Sequence, residues 1–321
     1  MFPSSARPQE SPAQRSIQLR IATWTLLFFS LALLSACGAS TRASTSQPTS
    51  TTTGAPSSGS GSSGGNGGST GGSGGGSTGG GSGSGQQVPS FNNLQGSGGW
   101  GQYAQAAPTF VDCSPSPCDG ITFSMTQGVS SPSISGNASE FSIGTGPAFT
   151  DALFNNHLIG ASSSQNMPDT GGTMVPSLHN FTYDVYFYGD NLGVSQALEF
   201  DMNEFFDGMG FIWGHECRIA GGYEWDIWDN VNQHWKPTGV PCHPNSNAWN
   251  HLTIKVQRTS DNQLLYQSIT LNGETATLNS TYPHGSAPSS WYGVTVNYQM
   301  DGDNNQDAYS IYLDKLTFSY Q

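Results

Sequence analysis

Apolar residues in this chain recur at every second position and almost never at every third or fourth, which makes strands, not helices, its building elements. The alternating runs are short and are separated by Gly, Pro, Asn and Asp, the residues that turn a chain back on itself. The clearest cover 121–127, 181–188, 197–202, 209–213, 249–258, 264–271, 294–300 and 309–320. Asn272-Gly273 predicts a two-residue hairpin turn, because both residues tolerate positive φ. In the run 181–188 the alternate aromatic residues are expected to fill the space between two sheets. The pattern extends over about 230 residues with no repeat and no internal linker, so residues 88–321 are read as one all-β sandwich domain.

What precedes that domain has a different composition. Arg7, Arg15 and Arg20 flank an apolar run at 21–34 that is short for a membrane span, the layout of an export signal over residues 1–36. It ends in Leu34-Ser35-Ala36-Cys37, which resembles a bacterial lipobox and implies lipidation of Cys37 as the first residue of the mature chain. Residues 37–87 are Ser, Thr and Gly with almost nothing apolar. Such a segment buries too little surface to offset its ordering entropy and predicts a flexible tether. Its root-mean-square reach is about 40 Å. The expected location is therefore outside the cytoplasm, lipid-anchored at the outer membrane or cell surface.

The charge balance narrows the partners. The chain carries a formal net charge of -13, with 22 Asp and Glu against 9 Lys and Arg. The basic residues of the domain are Arg218, Lys236, Lys255, Arg258 and Lys315. An acidic surface argues against nucleic acid and anionic lipid, and against polyanionic polysaccharides. Neutral glycans remain. Four further cysteines in an exported domain predict two disulfides, with three connectivities open. Cys113 with Cys118 would staple a short loop, and Cys217 with Cys242 would close a longer one around a Trp-rich segment.

The stretch Gln196-Ala197-Leu198-Glu199-Phe200-Asp201-Met202-Asn203-Glu204-Phe205-Phe206 is unusual among these runs. Leu198, Phe200 and Met202 alternate with Glu199 and Asp201, so one face is apolar and the other carries consecutive carboxylates. Carboxylates are poor strand residues and repel one another, so a compensating role is expected.

The C-terminal half resembles concanavalin A-like lectin and glucanase domains. The likeness lies in Trp249-Asn250-His251-Leu252-Thr253-Ile254-Lys255-Val256, in Ile269-Thr270-Leu271-Asn272-Gly273 and in the closing run Tyr309-Ser310-Ile311-Tyr312-Leu313-Asp314. It implies a two-sheet antiparallel jelly-roll sandwich with a glycan groove on one face. Within that superfamily, Glu199-Phe200-Asp201-Met202-Asn203-Glu204 is similar to the catalytic signature of glycoside hydrolase family 16. The similarity implies Glu199 as nucleophile, Glu204 as acid/base and Asp201 as the carboxylate that tunes them. Retaining hydrolysis needs the two working carboxyls about 5–5.5 Å apart on one side. Glu199 and Glu204 are an odd number of positions apart, so a bulge at Met202-Asn203 would have to bring them together.

Two other groups are candidates. Trp213, Trp228 and Trp235, with His215 and Asp226, have the composition of a sugar-stacking platform with a polar rim. In Tyr223-Glu224-Trp225-Asp226-Ile227-Trp228, alternation assigns Trp225 to the core and Trp228 to the outside. Asp301, Asp303, Asn305 and Asp307 are oxygen ligands on alternate residues of a turn, a pattern that suits Ca²⁺, although the EF-hand glycine and bidentate Glu are missing. The leading expectation is a surface lipoprotein that binds neutral carbohydrate without cleaving it. A family 16-like hydrolase and a structural or adhesive envelope domain are the alternatives.

Overall fold

The computed structural model describes residues 88–106, 109–111 and 122–321. The export segment, the tether, Cys37, Cys113 and Cys118 lie outside the described residues. Those described form two antiparallel sheets. The first runs, in spatial order, Glu274–Pro283, Gln263–Leu271, Trp249–Arg258, Asn180–Gly189, Tyr309–Tyr320, Ala138–Ile143 and Phe123–Val129, with Ser90–Asn92 paired onto Tyr309–Tyr320. The second runs His234–Pro241, Glu224–Asp229, His215–Arg218, Ser195–Phe206, Gly293–Gly302, Asp151–Ile159, Trp100–Ala106 and Thr109–Val111. Met209–Trp213 folds back on the end of Ser195–Phe206. Consecutive strands repeatedly change sheet, as from Asp151–Ile159 to Asn180–Gly189 to Ser195–Phe206, which makes this a jelly-roll sandwich.

Alternation decides what lies between the sheets. Phe181, Tyr183, Val185 and Phe187 face inward from the first sheet, and Leu198, Phe200 and Met202 face them from the second; all are buried. Phe200 packs on Tyr183, Phe187 and Tyr298 at centroid distances of 6.1, 5.3 and 5.4 Å. Each such side chain contributes roughly 1.5–3 kcal/mol through its removal from water. The Asn272-Gly273 turn forms as expected, with φ of 52° and 89° joining Gln263–Leu271 to Glu274–Pro283.

Some strands escape a reading by periodicity. Asp151–Ile159 places Asn156 on its inward face, where its amide reaches Gly98 O at 3.1 Å and its carbonyl accepts from Ser164 at 2.6 Å. Glu274–Pro283 is a sheet edge of half-exposed and exposed residues, which needs no apolar face.

Cys217 and Cys242 form a disulfide, both sulfurs buried, closing a loop of sequence separation 25 around the Trp-rich segment. In the chain-entropy model a loop of that size is worth roughly 3–4 kcal/mol. Replacing both cysteines by Ser should lower the unfolding free energy in urea by about that amount. A loss below about 1 kcal/mol would mean that the loop is held by its strand pairing instead.

Candidate functional site

The central strand of the second sheet, Ser195–Phe206, pairs without interruption from Glu199 to Phe205 with Gly293–Gly302. Its register is equally regular against the strands on its other side. No bulge occurs at Met202-Asn203. Glu199, Asp201 and Asn203 therefore point together to the outer face of the sandwich, while Glu204 follows Phe200 and Met202 into the core. The family 16-like alternative needs Glu199 and Glu204 on one side of the strand. Unbroken alternation over an odd spacing sends them to opposite faces. The strand runs on past Glu204 to Phe206.

Inside the core, Glu204 Oε2 accepts from Arg258 Nε at 2.9 Å across the two sheets. Arg258 lies in line with Leu252, Ile254 and Val256 on the inward face of its own strand. Its remaining nitrogens donate to Pro176 O, Leu178 O and Asn262 Oδ1 at 2.6–2.7 Å, and its guanidinium lies over Phe206 and Phe211. Burial pushes the Glu204 carboxyl up to about 8, against the pull of Arg258.

The outer face collects carboxyls from adjacent strands by register. Glu216 sits directly opposite Glu199, and Asp226 opposite Glu216. On the other side Gln299 is opposite Glu199, Asn297 opposite Asp201, and Asp301 opposite both Ala197 and Asp151. Glu199 and Asp201 are only 8% and 7% exposed. Burial, reinforced by mutual repulsion, raises the carboxyls of Glu199, Glu216 and Asp151 well above the usual range. It brings Asp201 to about 7 and Asp301 to about 6. Asp301 is within hydrogen-bond reach of both Glu199 and Asp151. Asp201 Oδ1 also accepts from the His215 N–H at 3.0 Å. The positive charge on this face is Arg218, which binds Asp226 at 2.8 Å and Glu224 at 3.0 Å.

Two aromatic pairs share this face. Trp228 meets Trp235 edge-on at 5.3 Å, and Phe205 meets Trp291 edge-on at 5.0 Å. The first pair needs Gly214 beneath it, because a Cβ there would come within 2.8 Å of Trp228 and 2.9 Å of Trp235. Trp228 is on the outside as alternation predicts, but Trp235 leaves it only 5% exposed. Trp225 is in the core, as expected.

Trp213 and His215 do not belong to this face. Trp213 is fully buried, stacked on Phe211 at 5.9 Å, and the His215 ring packs against Tyr266 at 5.1 Å in the core. Burial holds the His215 imidazole down to about 3, and therefore neutral. Both lie on the alternation that Phe211 and Cys217 define, carried through Gly214 without a change of face. Asp226 is on the face but buried against Arg218.

The Asp side chains of residues 301–307 are not grouped as a cation site among the described residues. Asp301 belongs to the outer face, whereas Asp303 Oδ1 accepts from the backbone of Asn305 and Gln306 at 2.7 and 3.1 Å and so closes its own turn. Among the described residues, no group of three or more His, Cys, Asp or Glu side chains is arranged to hold a metal ion. Residues of the face that a reading from sequence missed are Asp151, Asn203, Asn297 and Gln299. The alternation of Asn297, Gln299 and Asp301 with Val296, Tyr298 and Met300 marked their side of the strand, but not their neighbours.

No protein-family model matches the chain, and no curated protein matches its sequence. Solved structures resemble it at low identity. One structure from work on carbohydrate-binding modules of the β-sandwich superfamily aligns at 10% identity over 74% of this chain, with a TM-score of 0.35; the match covers 64% of that chain's length. The lectin UEA-II complexed with galactose aligns at 11% identity over 73% of this chain and 98% of that one, with a TM-score of 0.38. A Bacillus licheniformis β-glucanase aligns at 12% identity over 74% and 100%, again with a TM-score of 0.38. Likenesses of this size say nothing about what this chain binds.

Proposed function

We propose that the protein binds carbohydrate carrying no negative charge, through the outer face of the second sheet, and does not cleave it. The observation that carries this reading is the composition of the face. A row of carboxyl and amide side chains from five strands, Glu224–Asp229 to Asp151–Ile159, shares this face with two aromatic pairs, Trp228 with Trp235 at its Glu224–Asp229 end and Phe205 with Trp291 further along Ser195–Phe206. Carboxyls and amides bond sugar hydroxyls, and indole and phenyl rings cover the CH faces of the sugar. Hydrolysis through Glu199 and Glu204 is disfavoured because Glu204 is paired with Arg258 on the opposite side of the strand. Cys37 and the 37–87 tether would present the domain away from a lipid surface.

Titration calorimetry with soluble non-anionic oligosaccharides and one polyuronate tests the reading. Binding of at least one non-anionic sugar, no binding of the polyuronate and no release of reducing ends are expected. The reading fails if no sugar binds, or if reducing ends accumulate and Glu199→Gln stops them. For the anchor, Cys37→Ser should move the protein from the membrane fraction to the soluble one, and unchanged fractionation removes that part of the proposal.

A further inference from the structure

The outer face of the second sheet is rich in acceptors, and several of its donors are already engaged within the face. Arg218 gives Nε and Nη2 to Asp226 and Glu224. Asn155 Nδ2 bonds Asn297, and Gln299 Nε2 bonds Asp301. Asn203 uses its amide nitrogen on Thr295 Oγ1 at 3.2 Å, which leaves Asn203 Oδ1 buried without a partner among the described residues, beside Asp201. The residue as a whole is 7% exposed. A sugar hydroxyl brings one donor together with lone pairs that need donors in return, whereas an ammonium brings three donors and no acceptor.

We infer that this face selects a glycan bearing free amino groups, whose ammonium groups sit among Glu199, Asp201, Glu216 and Asp301 with Asn203 Oδ1 as a neutral acceptor. The inference rests on the carbohydrate-binding reading above and names the class of sugar. Three observations support it. The face sets Asp151, Glu199, Asp201, Glu216, Asp226 and Asp301 against a single guanidinium; a bound cation lets these carboxyls give up their protons and ionise around it, whereas an anion does not. Asp226, Glu216 and Glu199 stand side by side on adjacent strands. They therefore repeat at the strand spacing of about 4.8 Å, so that one ammonium can be shared by two of them. Finally, burial and, after it, mutual repulsion raise these carboxyls, and a ligand cation would relieve the repulsive part. A bare divalent ion is the competing cation, but the described carboxylates are not gathered around one point.

The test is calorimetric titration of the folded protein at low salt with a β-1,4-linked glucosamine hexamer. Its fully N-acetylated form, cellohexaose, spermine and Ca²⁺ are titrated in parallel. The free-amine hexamer should bind about tenfold or more tighter than either neutral hexamer, a preference of the size one close ion pair supplies, and lose that advantage at high salt. Glu199→Gln and Glu216→Gln should each reduce the preference severalfold. Asp301→Asn serves if either variant is misfolded by circular dichroism. Glu140→Gln, on the other sheet, should leave the preference intact. If the neutral hexamers bind as tightly as the amine, this inference falls and the carbohydrate-binding reading stands. If no hexamer binds, both fall. Spermine or Ca²⁺ binding more tightly than the glucosamine hexamer would also overturn it, since the face would then recognise charge without sugar.

Discussion

Replacing Arg258 by Met should destabilise the domain more than any surface change, and more at pH 9 than at pH 6. Arg258 spans the two sheets with its charge against Glu204 and three further donor bonds, at relative exposures of 4% and 0% for the paired side chains. Removing one member of a buried pair leaves the other uncompensated, a cost of about 3–5 kcal/mol. For a domain of this size that is a fall in Tm on the order of 10 °C. Glu204 can escape part of the cost by holding a proton, since burial already raises it to about 8. The deficit should therefore shrink in acid and grow in alkali. Adding Glu204→Met to Arg258→Met should recover much of the loss, because an apolar pair in place of a buried ion pair is often neutral. It should not recover all, since Pro176 O and Leu178 O still lose their donor. Differential scanning calorimetry of the parent and the two variants at two pH values measures this. An Arg258→Met Tm within about 2 °C of the parent at pH 9 would mean that water reaches Glu204, and the account of the pair would be wrong.

The same pair shows how far the sequence could be read. That Glu199 and Glu204 fall on opposite faces is arithmetic on a period of two, and so is the inward direction of Arg258, which follows Leu252, Ile254 and Val256. What arithmetic cannot supply is that the two inward charges meet, 54 residues apart and on different sheets. The outer face divides in the same way. Glu199 and Asp201 announce themselves, because carboxylates on alternate positions of an apolar strand need an explanation. Their neighbours Glu216, Gln299 and Asp301 become neighbours only through register, which is set by turns and cross-sheet packing that local pattern does not encode. Trp213 and His215 carry a different lesson. Aromatic and imidazole side chains suggest ligands by type, but Phe211 and Cys217 on the same alternation place them in the core. The clustered carboxyls also conflict with folding stability, and such local conflicts tend to mark function.

That conflict gives the second large effect: the domain should be most stable in mild acid, and its stability should fall steadily from about pH 5 to pH 8. The sign follows from which state holds protons. Glu199, Glu216, Asp151, Asp201, Asp301 and Glu204 all have carboxyls raised by burial in the native domain. An unfolded chain releases those protons near pH 4. Between that point and the native values, about 6 for Asp301, 7 for Asp201 and 8 for Glu204, the native state binds more protons than the unfolded one. Stability contributed below pH 4 is therefore lost as pH rises, at about 1.4 kcal/mol per pH unit for each retained proton. Opposing groups are fewer. His157 and His215, both lowered by burial, favour unfolding below about pH 6.5 as two groups against these six carboxyls. Asp169, Asp229 and Asp314, lowered by their hydrogen bonds, lose their contribution only as pH falls below the ordinary carboxylate range. Urea unfolding at constant ionic strength from pH 4.5 to 8.5 reads the slope directly. The double variant Glu199→Gln/Asp301→Asn should flatten it, because amides at those positions carry no charge to bury. A parent stability that is level or rises between pH 5 and 8 would mean that solvent screens the outer face, and that its carboxyls are ionised in the folded domain.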